Sequence, residues 1–71
     1  MDTKTALLDC AETFARRRGL NGFSYADLSA DVGIRKASIH HHFPTKADLT
    51  LAMLERYTER FLSELLSLIH I

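Results

Sequence analysis

Residues 24–46 read SYADLSADVGIRKASIHHHFPTK, and the order of helix signals along this stretch decides how the chain folds. Ser24 can cap a helix, because its hydroxyl accepts from a first-turn amide that has no partner within the helix. Asp27, three residues on, completes a capping-box pattern with a shorter carboxylate than usual and faces the positive end of the helix dipole. Phe23 and Leu28 stand at the spacing of a hydrophobic staple. A helix therefore begins at Tyr25 and carries Leu28 and Val32, four apart, on its inward face, while small Ser29 leaves room for a neighbouring helix. Gly33 ends it, since the left-handed conformation that stops many helices costs glycine nothing.

A second helix is predicted over residues 36–42. Ile34 and Ile39 form another staple, and Ile39 with Phe43 makes the buried stripe. Lys36, Ala37, Ser38, His40 and His41 are left for solvent. No acidic residue occurs between Val32 and Ala47, where Arg35, Lys36 and Lys46 carry the charge. The whole chain holds nine basic and nine acidic residues, so this is segregation of charge and not general basicity. Two short amphipathic helices joined through a glycine turn, the second cationic on its outer face, make a helix-turn-helix pattern that suits a groove of duplex DNA.

The flanks supply what such a pair packs against. Over residues 3–18 the apolar positions Leu7, Cys10, Ala11, Phe14 and Ala15 follow helical spacing, Arg16 to Arg18 offset the dipole of the last turn, and Gly19 supplies the C-cap. The arginine triplet is read as a solvated helix end. Pro44 breaks the chain, and Thr45 with Asp48 can cap a helix expected over residues 46–66. Leu49, Ala52, Met53 and Tyr57 can close the core, whereas Phe61, Leu62, Leu65 and Leu66 extend an apolar face that nothing else in the chain covers. The fold class is thus all-α: a three-helix, homeodomain-like helix-turn-helix domain over residues 1–48, plus the start of a long fourth helix.

The segment GIRKASIHHHFPTKADL resembles the signature of the TetR family of bacterial transcriptional regulators. Gly33, Ile34, Ala37, Ser38, Ile39, His42, Phe43, Thr45, Lys46 and Leu49 fit that signature, and Leu7, Ala11, Phe14, Gly19, Phe23, Ser24 and Leu28 are similar to the family's first two helices. The resemblance covers about the first fifty residues without a gap. Two positions depart from it. Arg35 stands where the family usually has Ser or Thr, and His40 where it usually has Tyr, which commonly touches the DNA backbone. A histidine can also donate to phosphate, with a charge that varies near neutral pH.

The resemblance implies sequence-specific DNA binding, most simply as part of a ligand-responsive repressor. Its partners would be a palindromic operator and, in the intact protein, a second copy forming a homodimer. The small-molecule effector would bind a C-terminal domain that lies outside these residues and is entered through the fourth helix. The expected DNA-binding residues are Ser24, Tyr25, Arg35, Lys36, Ala37, Ser38, His40, His41, His42 and Lys46. Among them Lys36 to His41 would meet base edges or phosphates in the major groove. Ser24, Tyr25, Arg35 and Lys46 are phosphate candidates, and Lys46 sits at a helix start already suited to an anion. His42 reads equally as a packed histidine.

Composition bounds the alternatives. Seventy-one residues with one cysteine allow a single small domain with no internal disulfide, and a quarter charged with 46% apolar residues is the balance of a folded chain. The N-terminus lacks an export pattern and no apolar run reaches membrane-span length, so a cytoplasmic location without membrane contact is expected, and the resemblance implies that the cell is bacterial. Cys10 on an inward face reads as a buried thiol. The three consecutive histidines splay by about a hundred degrees each and cannot converge on one metal, so no cofactor and no metal are expected. With no nucleophile, base and orienting group together, and too little chain for a pocket, catalysis is not expected either. The rival reading is a small helical interaction or self-association module that uses the stripe from Phe61 to Leu68. Finally, residues 66–71, LSLIHI, are what translating CTG TCT CTT ATA CAC ATC, a transposon end used in sequencing libraries, would give, and they are expected to be a non-native scar.

Overall fold

The computed structural model describes residues 2–69. Four α-helices follow one another: α1 (Thr3–Arg18), α2 (Tyr25–Val32), α3 (Lys36–His42) and α4 (Lys46–Ile69), with a short 3-10 turn at Leu20–Gly22. His70 and Ile71, the last two residues of the expected scar, lie outside the described residues; Leu66 to Ile69 form the end of α4.

Each boundary has a local cause. Asp2 caps α1 by accepting from the Thr5 amide at 2.7 Å, a bond that also holds its carboxyl below the usual range. At the other end Gly19 takes φ 78° and ψ 166°, a backbone region essentially reserved for glycine, while its N–H closes on the Ala15 carbonyl at 2.8 Å. The capping box of α2 is present, with the Ser24 amide donating to Asp27 Oδ2 at 2.8 Å. Gly33 ends α2 in the left-handed conformation, φ 79° and ψ 34°, and its amide reaches the Ser29 carbonyl at 2.9 Å. The Thr45 amide donates to Asp48 Oδ2 at 2.9 Å and the Asp48 amide to Thr45 Oγ1 at 3.2 Å, a full capping box that starts α4.

Leu7, Leu28, Ile39 and Leu49 are all fully excluded from solvent, one from each helix. Around them Leu8, Cys10, Ala11, Phe23, Tyr25 and Phe43 complete the core. Cys10 donates its thiol proton to Asp31 Oδ2 at 2.9 Å, tying α1 to the end of α2. Burial first, and then the Asp31 carboxylate, push the thiol up to about 12, so it stays protonated and unreactive at neutral pH. Phe14 and Phe23 stack with ring centroids 5.7 Å apart, and the Arg18 guanidinium lies 4.9 Å from the Phe14 centroid.

A knot of charge joins α1 to α4 where the core thins out. Glu12 accepts from Arg16 at 2.8 Å, from Arg60 at 2.9 Å and from Arg56, which also reaches Asp9 at 2.8 Å. Only 22% of the Glu12 side chain and 18% of the Arg56 side chain remain exposed, so this pairing is less screened than a surface ion pair. The hydrogen bonds from Arg56, and next those from Arg60, hold the Glu12 carboxyl below the usual carboxylate range. Past Arg60 the helix leaves the domain, and the apolar side chains Tyr57, Phe61, Leu62, Leu65, Leu66, Leu68 and Ile69 are all exposed.

Replacing Glu12 with Gln should therefore cost about 1–2 kcal/mol at pH 7, because three guanidinium groups lose their shared anion. Thermal unfolding should show a midpoint lowered by roughly 5–15 °C. A depressed folded-state value means that the carboxylate stabilises above the unfolded carboxylate range, about pH 4–5, and that this contribution fades as the pH falls further. The gap between the two proteins should thus narrow below about pH 4.

Candidate nucleic-acid interface

Seven residues make α3, and only Ile39 among them is buried. A helix of two turns is not stable alone in water, so its placement depends on what Ile39 and its neighbours pack against. Four further contacts fix it. Ser29 Oγ on α2 donates to the Ile34 carbonyl and fixes the turn before α3. Phe43 closes the helix with its amide on the Ile39 carbonyl at 2.8 Å while its ring enters the core. The Tyr25 hydroxyl proton is shared between the carbonyls of Phe43 at 2.8 Å and Thr45 at 2.7 Å, clipping the α3–α4 turn to α2. His40 leans on the Tyr25 ring, centroids 4.7 Å apart, with Nδ1 3.2 Å from the Pro44 carbonyl.

The face of α3 turned away from the core exposes Arg35, Lys36, Ala37, Ser38, His40 and His41, and His42 is half-buried at its edge. Among the described residues, Arg16, Arg18, Arg56 and Arg60 each have a carboxylate within 4.0 Å, whereas Arg35, Lys36 and Lys46 have none. The segregation of charge in the sequence is therefore also a segregation in space: anions are consumed on the α1–α4 side and leave the α3 side cationic.

Residues 7–53 match the sequence model of the bacterial regulatory proteins of the tetR family. The chain belongs to the TetR family. Its matched part is the helix-turn-helix DNA-binding domain of these regulators, which are binding proteins and not enzymes. The transcriptional regulator CymR of Pseudomonas putida is 38% identical over 64 residues, covering 84% of this chain and 32% of that protein. The transcriptional repressor NemR of Escherichia coli K12 is 34% identical over 56 residues, covering 79% of this chain and 28% of that protein. The chain thus spans about a third of the length of these relatives. No solved structure gives a significant match. The family match does not favour the rival reading of a free-standing interaction module.

Within this TetR-type domain two expected phosphate contacts are placed differently from their sequence reading. Tyr25 is buried and its hydroxyl is already spent on two carbonyls, so it has no proton left to offer a phosphate; it is a brace behind α3. Lys46 is half-buried, with its ammonium on the Phe23 carbonyl and 4.1 Å from the Phe23 ring centroid. An ammonium has three protons, and two of them remain available. Ser24 is exposed at the start of α2.

Sequence reasoning passed over Lys4. This exposed lysine near the start of α1 lies 5.8 Å from the Phe43 ring centroid, which sets a cation beside the end of α3. No local pattern signals it, because the neighbour is 39 residues away in sequence and arrives only when the helices pack. Asp2 also lies near enough to feel the charge of His42. Among the described residues no three His, Cys, Asp or Glu side chains group as a metal would require, and no helix is long and apolar enough to cross a membrane.

Tyr25→Phe tests the brace. It strands two carbonyls while keeping the ring, so it should cost about 1–3 kcal/mol, seen as a lower thermal midpoint. Amide exchange should quicken most over residues 43–46 if the clip acts as described, and evenly if it does not.

Proposed function

We propose that α3 enters the major groove of duplex DNA and that the chain is the operator-reading head of a ligand-responsive repressor acting in the bacterial cytoplasm. The observation that carries this reading is the unpaired cationic face of α3 described above, set against arginines elsewhere that are all but one matched to carboxylates. A face evolved only for solubility would have both signs interspersed. The printed name of NemR, a transcriptional repressor, supports the direction of regulation.

In this reading Lys36, Ala37, Ser38, His40 and His41 face the groove. A lysine donates to the acceptors of guanine, an alanine methyl meets a thymine methyl, and hydroxyl and imidazole groups serve bases or phosphates. Arg35, Ser24 and Lys46 hold phosphates on either side, at or beside helix N-termini that already favour an anion, and His42 stands at the margin of the site. The intact protein is a homodimer on a palindromic operator, with recognition helices about 34 Å apart to match successive turns of one DNA face. The bare apolar stripe from Tyr57 to Leu68 then rests against the C-terminal part of that longer protein, where a small-molecule effector binds and shifts α4. The open groove between Ala15 and Leu20 on one side and Met53, Leu54 and Tyr57 on the other continues the same apolar surface.

Gel-shift titration against the DNA flanking its own coding sequence, at several salt concentrations, tests this directly. A single domain without its partner copy should bind weakly and with a steep loss on adding salt. Lys46→Ala should weaken operator and random DNA to the same degree and reduce the salt slope by about 1. Lys36→Ala should in addition lose preference, worth about 1–3 kcal/mol at the base pair it reads. Equal losses on both DNAs for both variants would refute that division, and no salt-sensitive binding at all would refute the reading itself.

A further inference from the structure

The imidazole of His40 is not free to present either nitrogen. Its Nδ1 lies 3.2 Å from the Pro44 carbonyl, and a carbonyl oxygen only accepts, so Nδ1 carries the proton in the neutral ring. The ring is also laid against Tyr25, which opposes a flip. His40 is exposed, and Nε2, the ring nitrogen without a hydrogen-bond partner among the described residues, is a bare lone pair in the neutral ring. A lone pair repels a phosphate oxygen; an N–H attracts it.

Resting on the DNA reading above, we propose that His40 makes DNA binding proton-linked: the ring takes up one proton at Nε2 as it meets a backbone phosphate, so affinity rises as pH falls. The chemistry balances without any other reactant, since the proton comes from solvent and forms the Nε2–H bond that the phosphate oxygen accepts. The complex therefore holds more protons than the free partners, and linkage makes the affinity grow as pH falls, by at most about tenfold per unit of pH for one proton taken up.

The groups around the ring leave His40 in charge of this behaviour. From α2 comes Tyr25, whose ionisation is pushed up by burial and then by Asp48, so it stays neutral throughout. From the start of α4 come Asp48, whose carboxylate accepts from the Thr45 amide and hydroxyl, and Lys46, whose ammonium is turned to the Phe23 carbonyl. From α1 come Lys4, over Phe43, and Asp2, toward His42. On α3 itself stand Lys36, His41 and His42. Among the described residues no carboxylate is hydrogen-bonded to the His40 ring, so no fixed anion of the chain takes the place of an arriving phosphate at Nε2.

The test is binding of the 71-residue chain to its operator DNA at fixed ionic strength between pH 6 and pH 8, by fluorescence anisotropy, for the parent and for His40→Gln, His41→Gln and His42→Gln. The parent should bind more tightly at pH 6.5 than at pH 7.5, by no more than about tenfold. His40→Gln, whose amide donates at every pH, should flatten the profile, and the other two variants should keep a slope. Because a variant can disturb folding, calorimetric titration of the parent in two buffers of different ionisation enthalpy gives an independent reading and should show net proton uptake at pH 7.5. A flat parent profile with intact salt-sensitive binding overturns the proton link alone, and so does a slope that persists in His40→Gln or has the opposite sign, as a base amino group donating to Nε2 would give. Absence of binding at every pH overturns the DNA reading as well.

Discussion

Everything that presents α3 depends on four side chains meeting at one point. Leu7, Leu28, Ile39 and Leu49 each come from a different helix and are each fully buried. In a domain this small the core is thin, and truncating any one of them to alanine removes about 2–5 kcal/mol, a large share of what such a domain holds. The constraint also explains why α3 can be short and polar. It contributes a single buried residue, Ile39, and draws its rigidity from neighbours: the Ser29 bond to the turn before it, and the Tyr25 clip on the turn after it. Under the proposed role, a helix held from both ends and behind is free to spend its whole outer face on recognition.

The second organising feature is where the anions go. Asp27 and Asp48 are occupied in capping boxes, Asp31 accepts from Cys10, and Asp9 and Glu12 are bound up with arginines of α1 and α4. Each of those contacts does local structural work, and together they occupy five of the nine acidic residues of a chain whose formal net charge is zero. A neutral protein can therefore carry a positive field on one face, which is what steers it toward a polyanion, without the general stickiness of a basic one.

How much of this could be read before folding depends on the range of each interaction. Caps and stops are local, and Ser24 with Asp27, Gly33, and Thr45 with Asp48 announced their helices because each motif lies within four residues. Helical periodicity likewise marked Leu7, Leu28, Ile39 and Leu49 as inward. The readings that shifted are those in which a polar tip has a choice of partner. Tyr25, at the start of α2, has a hydroxyl that a phosphate or a carbonyl satisfies equally well, and the carbonyls of Phe43 and Thr45 are brought to it only by the tertiary fold. Lys46 turned toward Phe23 for the same reason, and Lys4 was silent because its neighbour Phe43 is distant in sequence. The Glu12 knot was invisible too: spacing suggests Glu12 with Arg16, but not that Arg56 and Arg60 arrive on the same carboxylate.

That knot bears on how a signal from elsewhere would reach the DNA face. A straight helix of 24 residues is about 36 Å long, and α4 is gripped only as far as Arg60, by Leu49 in the core and by Glu12 at Arg56 and Arg60. Were the grip apolar alone, α4 could roll on the head at little cost, since burial is not directional. Guanidinium–carboxylate bonds are directional, and three of them on one anion oppose rolling and sliding together. Under the proposal that an effector moves the far end of α4, a rigid joint makes the head follow as one body, where a loose joint would absorb the movement. Tilting a lever of this length by about 10° displaces one end by about 6 Å relative to the other, more than the spacing of successive base pairs. The stiffness supplied by one half-buried glutamate is therefore what would turn a modest displacement in a distant domain into a recognition helix out of register with its groove.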